Sequence, residues 1–247
     1  MTPQFDIVIL GLSVTSSWGN GHATTYRGLI RGLAARGHRI LFLEREQEWY
    51  ASNRDEPHPR GATTELYHSV EELTARFEKA IAEAELVIVG SFVPDGIAIG
   101  GWVNSTARGV TAFYDIDTPV TLAQLASRSS TYIDSDLIRR YHLYLSFTGG
   151  PTLDYIESQY GAPMARGLYC SVDPTLYRPE RRLERWDLGY LGTYSDDRQP
   201  VLEQLLLEPA RRWPEGRFSV VGPMYPKDLR WPANVEREIH LSPREHP

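Results

Sequence analysis

The stretch 5-FDIVILGLSVTSSWGNGHATTYRGLIRGLAARGHRILFLER-45 decides how this chain is read. Its first six residues, FDIVIL (5–10), form a short apolar run ending at Gly11, the pattern of a strand buried on both faces. Residues 24–36 then space Tyr26, Leu29, Ile30 and Leu33 at helical intervals, and Gly37 stands where a C-cap glycine belongs. RILFLE (39–44) is a second apolar run. Strand, helix and strand at this spacing predict a βαβ unit with a right-handed crossover and a parallel sheet. Ligands of such sheets bind beyond the carboxyl ends of the strands. The loop Trp18-Gly19-Asn20-Gly21-His22 lies there, just ahead of the helix. Gly19 and Gly21, on either side of Asn20, let backbone N–H groups come close to a ligand, and the helix end favours negative charge.

Beyond this unit the composition sets broad limits. A chain of 247 residues has room for one to two domains and a substantial core. Its 41% hydrophobic and 23% charged content is that of an ordinary globular protein. The net charge of -6 argues against nucleic acid or an anionic membrane surface as the main partner. Arg181 and Arg182 belong to the mixed-charge run ERRLER and read as a solvated surface. The single cysteine, Cys170, excludes an intramolecular disulfide framework and a cysteine zinc site. Placed in the apolar run 167–172, it is expected to be a small buried hydrophobe. No basic segment precedes the first apolar run, and no stretch has the length of a membrane span. The expectation is a cytoplasmic protein without stable membrane insertion.

Strand and helix patterns alternate along the rest of the chain. A polar, aromatic loop at 45–61 carries Trp49, Tyr50, Pro57 and Pro59, and 64–67 reads as a short edge strand. Residues 69–84 predict a helix capped by Ser69, with Glu71 and Glu72 in the first turn and Leu73, Phe77 and Ile81 on one face. Strands follow at 86–92, 110–114 and 144–147, and helical patterns within 96–108 and at 135–141 and 152–160. The strand at 110–114 runs directly into Asp115-Ile116-Asp117-Thr118-Pro119. A further strand is expected to end at Val172, and the rhythm then restarts: strand 188–191, loop 192–199, helix 200–212, strand 217–221. The fold class is therefore α/β, doubly wound, with a boundary placed near residue 180 that separates 1–180 from 181–247. The second part is short for a doubly wound half, which usually needs about 100–150 residues.

Several of these segments together resemble the GT-B glycosyltransferases, in particular the spore-maturation CgeB-like and family-4-like members. The glycine loop followed by YRGLIRGLAARGHRILFLE is similar to the family's opening helix and second strand. CSVDPTLYRP resembles its domain-crossing segment, and LGYLGTYSDDRQPVLEQLL the opening strand and helix of its donor domain. FSVVGP and NVEREIHL are similar to that domain's next two strands. The resemblance implies two Rossmann-like domains across a cleft, the first facing an acceptor and the second gripping a UDP- or GDP-sugar. It implies transfer without a metal ion, helix ends and basic side chains stabilising the leaving diphosphate. Carried onto this chain, it gives Arg198, six residues after Gly192, the diphosphate role, with Gly192 and Thr193 beside it. The loop Gly19, Asn20 and Gly21 shapes the reacting centre, and His22 takes a proton from an acceptor hydroxyl while Asp117 or Asp115 orients it. The acceptor, whether glycan, protein or small molecule, is left open. The family's glutamate-bearing donor segment has no counterpart before Pro247, so the second domain is expected to be incomplete and the chain a truncated frame.

Three other readings compete. Asp115-Ile116-Asp117 spells D-x-D at a strand end, which in GT-A transferases holds a divalent cation, although the restarted βαβ pattern argues against that fold. Gly19-x-Gly21 ahead of a helix, with Glu44 about twenty residues on, imitates a dinucleotide fingerprint, but the first glycine is far from the strand end and position 24 is Thr. A non-catalytic binding or assembly domain is the third, with Trp18, Trp49, Tyr50 and Trp102 available to stack on sugars or simply to pack. No G-x-S-x-G, P-loop or H-E-x-x-H occurs, which removes hydrolase, P-loop NTPase and zinc-protease readings.

Overall fold

The computed structural model describes residues 4–179, 181, 183–241 and 245. The chain divides into two compact units, Met1–Ser16 with His22–Asp173, and Ser17–Gly21 with Pro174–Pro247. Glu180, where the sequence places a boundary, and Arg182 of the basic pair lie outside the described residues.

In chain order the first unit holds β1 (Ile7–Gly11), α1 (His22–Ala34), β2 (Ile40–Arg45), α2 (Glu48–Ala51), β3 (Thr63–Tyr67), α3 (Val70–Glu83) and β4 (Leu86–Gly90). It continues with α4 (Gly96–Thr106), β5 (Val110–Asp115), α5 (Thr118–Ala126), α6 (Ser135–Ile138), β6 (Leu143–Ser146), α7 (Pro151–Tyr160) and β7 (Ala165–Gly167). The seven strands form one sheet in the order β3-β2-β1-β4-β5-β6-β7, and every pairing is parallel. The apolar runs become central strands because both of their faces are covered. In β1, Val8 and Leu10 join Leu73, Phe77 and Ile81 of α3 and Ile99 and Val103 of α4 in one core. Ile7 and Ile9 point the opposite way, into a second core with Tyr26 and Ile30 of α1. Ser69 caps α3, its hydroxyl accepting from the Glu72 amide at 3.2 Å. The winding direction reverses between β1 and β4, where loops on either side diverge and leave a crevice at the strands' carboxyl ends.

One segment departs from the strand expected to end at Val172. The strand there is only Ala165–Gly167, after which the chain leaves the sheet and crosses α1. Gly28 permits the crossing, because a side chain at that position would press on the backbone of Val172 and Asp173 at 3.3 and 3.4 Å. Arg31 then fixes it through a 2.8 Å ion pair with Asp173. Cys170, expected to be buried, is exposed on this strap.

The second unit contains a three-stranded parallel sheet, β10-β9-β8, from β8 (Leu188–Leu191), β9 (Phe218–Val221) and β10 (Val235–Glu238). Its helix runs as α8 (Gln199–Leu202), a wide π turn (Glu203–Leu207) and α9 (Glu208–Arg212). Pro209 explains the wide turn: it has no N–H to give, and its ring displaces the carbonyl four residues back. Leu202, Leu206, Leu207 and Ala210 still pack on Phe218, Val220 and Val235.

Candidate active site at the sheet switch point

The residues after β1, β4 and β5 meet at the crevice of the first sheet. The path after β1 is held by Glu44, the penultimate residue of β2, which is fully buried. Its Oε2 accepts the Val14 and Thr15 amides at 2.7 and 3.0 Å, and its Oε1 accepts the Thr15 hydroxyl at 2.7 Å and shares the single Ser13 hydroxyl hydrogen, at 3.2 Å, with the Ser16 carbonyl. That carboxylate is spent on the loop, which answers the dinucleotide reading: Glu44 has no oxygen left for a ribose. Arg27, buried on α1, ties the same loop to the 45–61 segment, donating from Nε to the Val14 carbonyl at 2.8 Å and pairing with Asp55 at 2.8 Å.

With the loop fixed, α1 starts at His22, and the imidazole comes within 2.8 Å of Asp117, Nε2 to Oδ2. A carboxylate only accepts, so Nε2 carries the proton and, in the neutral imidazole, Nδ1 carries the lone pair. The two residues are far apart in sequence and are joined by β5 leading straight into Asp117. Asp117 is the N-cap residue of α5, yet its side chain makes no capping hydrogen bond. A capping aspartate ordinarily contributes about 0.5–2 kcal/mol to its helix. Here Pro119 offers no N–H at the second helical position and the Val120 amide donates to the Asp117 carbonyl at 2.9 Å, which leaves the Asp117 side chain to His22. Phe92, immediately beyond β4, has φ 60 and sets its ring edge-on to the imidazole with centroids 6.0 Å apart. A bulky residue in this backbone region costs on the order of 1–3 kcal/mol, so the placement is enforced by the surrounding structure.

Asp115 takes a different part from its neighbour. It is fully buried, and its carboxylate accepts from Tyr144 Oη at 2.5 Å, Thr121 Oγ1 at 2.7 Å and the Asp117 amide at 3.2 Å. Burial pushes its pKa up, against the pull of those hydrogen bonds. Asp115 does not reach His22; it positions the backbone of Asp117. The D-x-D tripeptide therefore aims its two carboxylates at different targets, one at internal hydroxyls and the other at an imidazole. Among the described residues no group of three His, Cys, Asp or Glu side chains is gathered as a metal cluster.

Of the remaining sequence candidates, Gly19, Asn20 and Gly21 fall in the segment that groups with the second unit. Gly19 has φ 66, Asn20 donates from its amide to the Trp18 carbonyl at 3.2 Å, and the α-carbon of Gly21 faces open space. In the three-stranded sheet, Gly192 and Thr193 follow β8, and Arg198 is the exposed N-cap residue of α8. Sequence reasoning did not single out the support beneath them. Arg237 of β10 packs over the rings of Tyr225 and Trp231, at 4.2 and 4.3 Å, and donates to the Val220 and Gly222 carbonyls at 2.6 and 3.0 Å. Tyr225 Oη in turn donates to the Gly192 carbonyl at 3.2 Å. Of the candidate stacking aromatics, Trp49 is exposed, Tyr50 is buried and Trp102 packs on the core.

No protein-family model and no curated protein sequence matches the chain. Solved structures do. Sucrose-phosphate synthase from Thermosynechococcus elongatus superposes with a TM-score of 0.62 at 14% identity, over 98% of this chain and 72% of that one. An α-glucosyltransferase in complex with UDP gives 0.58 at 11% identity, over 96% and 68%. The fold is GT-B. A Listeria monocytogenes protein described as a UDP-N-acetylglucosamine 2-epimerase gives 0.56 at 11% identity, over 97% and 70%. A GT-B chain is thus not defined chemically by its fold alone, and its function has to be argued from its site.

Proposed function

We propose that this protein is a glycosyltransferase that moves a sugar from a nucleotide-diphosphate sugar to an acceptor hydroxyl, without a metal ion. The observation that carries the reading is the His22–Asp117 pair at the sheet switch point, with the Asp117 carbonyl starting α5 and its side chain turned to the imidazole. Such a pair relieves an acceptor hydroxyl of its proton as the sugar bond forms. Support comes from the GT-B fold, shared with a glucosyltransferase solved with UDP. On the donor side the reading assigns Arg198, the Gly192–Thr193 turn and the Gly19–Asn20–Gly21 loop to the diphosphate. A positive side chain and backbone N–H groups offset the charge that grows on a departing diphosphate. The branch resembled by the sequence motifs is the CgeB-like and family-4-like one. The reading takes UDP- or GDP-sugar as donor, a glycan, protein or small molecule as acceptor, and the cytoplasm as setting. Among the described residues no helix is long and apolar enough to cross a membrane.

The test is a thermal-shift series with UDP-glucose, GDP-mannose, UDP-N-acetylglucosamine and NAD. A donor at 100 times its Kd stabilises the fold by about 2.7 kcal/mol, which moves the melting midpoint by several degrees. A rise with one nucleotide sugar and none with NAD is expected. A shift with NAD alone, or conversion of UDP-N-acetylglucosamine to its epimer with no UDP released, refutes the transferase reading.

A further inference from the structure

Within the pair the two partners are not equally placed. The His22 side chain is 8% exposed and that of Asp117 34%. The imidazole is walled by Phe92 edge-on at 6.0 Å and by the Tyr26 ring at 6.3 Å. Its Nε2 is committed to Asp117 Oδ2, and its Nδ1 is buried with no hydrogen-bond partner among the described residues. An acceptor hydroxyl therefore has no path to either ring nitrogen. A hydrogen carried on Nδ1 would point at no acceptor among the described residues.

From this geometry, and resting on the transferase reading above, we infer that Asp117 is the catalytic residue facing the acceptor and that His22 is a positioning residue behind it. The acceptor hydroxyl binds to the exposed Asp117 carboxylate. Its O–H bond breaks as the acceptor oxygen joins the anomeric carbon, and the proton passes to the Asp117 oxygen that His22 does not hold. The bond from the anomeric carbon to the diphosphate breaks in the same event, and its electron pair leaves with the nucleoside diphosphate. Afterwards the carboxylic acid returns its proton to solvent. His22 keeps its Nε2–H throughout, holding Oδ2 so that the other oxygen points outward. Asp115 fixes the Asp117 amide from below, and Phe92, in its left-handed backbone conformation, closes the far side of the ring. This arrangement gives a role to an N-cap aspartate whose side chain makes no cap and is held by a histidine that is itself sealed.

Two measurements on the full chain decide it. In the ¹⁵N-histidine spectrum, with the His22 signal identified by its loss in His22→Gln, the neutral ring is expected as its Nε2–H tautomer; the Nδ1–H tautomer, with Nε2 bare, overturns the assignment. In UDP release from UDP-glucose, with water as acceptor, Asp117→Gly should lose activity and regain about tenfold or more on adding formate, within the span of general acid–base effects. His22→Gly should lose activity and gain nothing from added imidazole, because the site is closed. Rescue of His22→Gly by imidazole, or an Asp117→Gly variant as active as the parent, makes His22 the base and ends the proposal. A parent chain that binds none of the nucleotide sugars instead removes the transferase function and the inference with it, a result the thermal-shift series reads separately from the tautomer.

Discussion

Removing the Glu44 side chain should unfasten the loop that carries the candidate site. In Glu44→Ala the Val14 and Thr15 amides lose their acceptor inside the protein, and each orphaned buried N–H costs about 1–3 kcal/mol. The two hydroxyls are less exacting, since the Ser13 Oγ already donates to the Ser16 carbonyl at 3.1 Å. Glu44→Ala should therefore destabilise the first unit by about 2–6 kcal/mol, a large part of the roughly 5–15 kcal/mol that holds a domain together. Glu44→Gln is the informative control. Its amide oxygen can keep both backbone N–H groups while its NH₂ turns to the hydroxyls, so the loss is that of charge assistance, about 1–2 kcal/mol. Urea unfolding followed by tryptophan fluorescence gives the difference in stability, and amide exchange at Val14 and Thr15 shows whether the loop opens first. Equal losses in the two variants, or both within about 0.5 kcal/mol of the parent, would show that the carboxylate does not hold the loop.

Other expectations follow from the same geometry. Arg198→Ala should weaken UDP- or GDP-sugar binding by roughly 1–3 kcal/mol, the worth of a charged hydrogen bond, and calorimetry with unchanged affinity removes Arg198 from the donor site. Burial raises the Asp115 pKa, so the folded state holds that proton more tightly than the unfolded chain does. Its contribution is complete below about pH 4 and is lost as pH rises through the raised folded value; the parent should therefore lose stability relative to Asp115→Asn on going up from about pH 4. A flat or rising difference across that window contradicts the burial argument. At Gly222, where φ is 151, an added Cβ would run into the Gly192 carbonyl oxygen. Gly222→Ala should part the ends of β8 and β9 and cost about 2 kcal/mol or more, seen as a lowered melting temperature together with weakened donor binding.

The frame of this molecule is plain in its sequence where strands are buried on both faces. IVIL, ILFL and LVIV are continuous apolar runs, and they become β1, β2 and β4 because no polar face is needed. The helix at Thr118–Ala126 is harder to see. Its first turn holds Pro119 and two threonines, and Asp117, which looks like its cap, turns its side chain elsewhere. The apolar run at 167–172 satisfies the pattern of a strand but leaves the sheet over α1, its backbone seated against Gly28 while Tyr169 and Val172 stay exposed. At the site, the sequence and its resemblance offered His22, Asp115 and Asp117 together, and nothing local distinguishes Asp115 from Asp117. Only the fold separates the carboxylate turned into the sheet from the one turned out. Glu44 imitated a ribose-binding acid because both roles require a carboxylate at the end of the second strand. What differs is the donor-rich Ser13-Val14-Thr15 run, which comes round to meet it.

The uncapped start of α5 has a consequence for how this site tolerates change. The second position of that helix is Pro119, which has no N–H, and the Val120 amide already donates to the Asp117 carbonyl at 2.9 Å, so the carboxylate gains nothing by turning back to its own helix. A lineage that lost the histidine would therefore recover no stability at that helix end. Sturdiness and reactivity are kept apart here, the backbone of Asp117 starting the helix while its side chain is left to the imidazole.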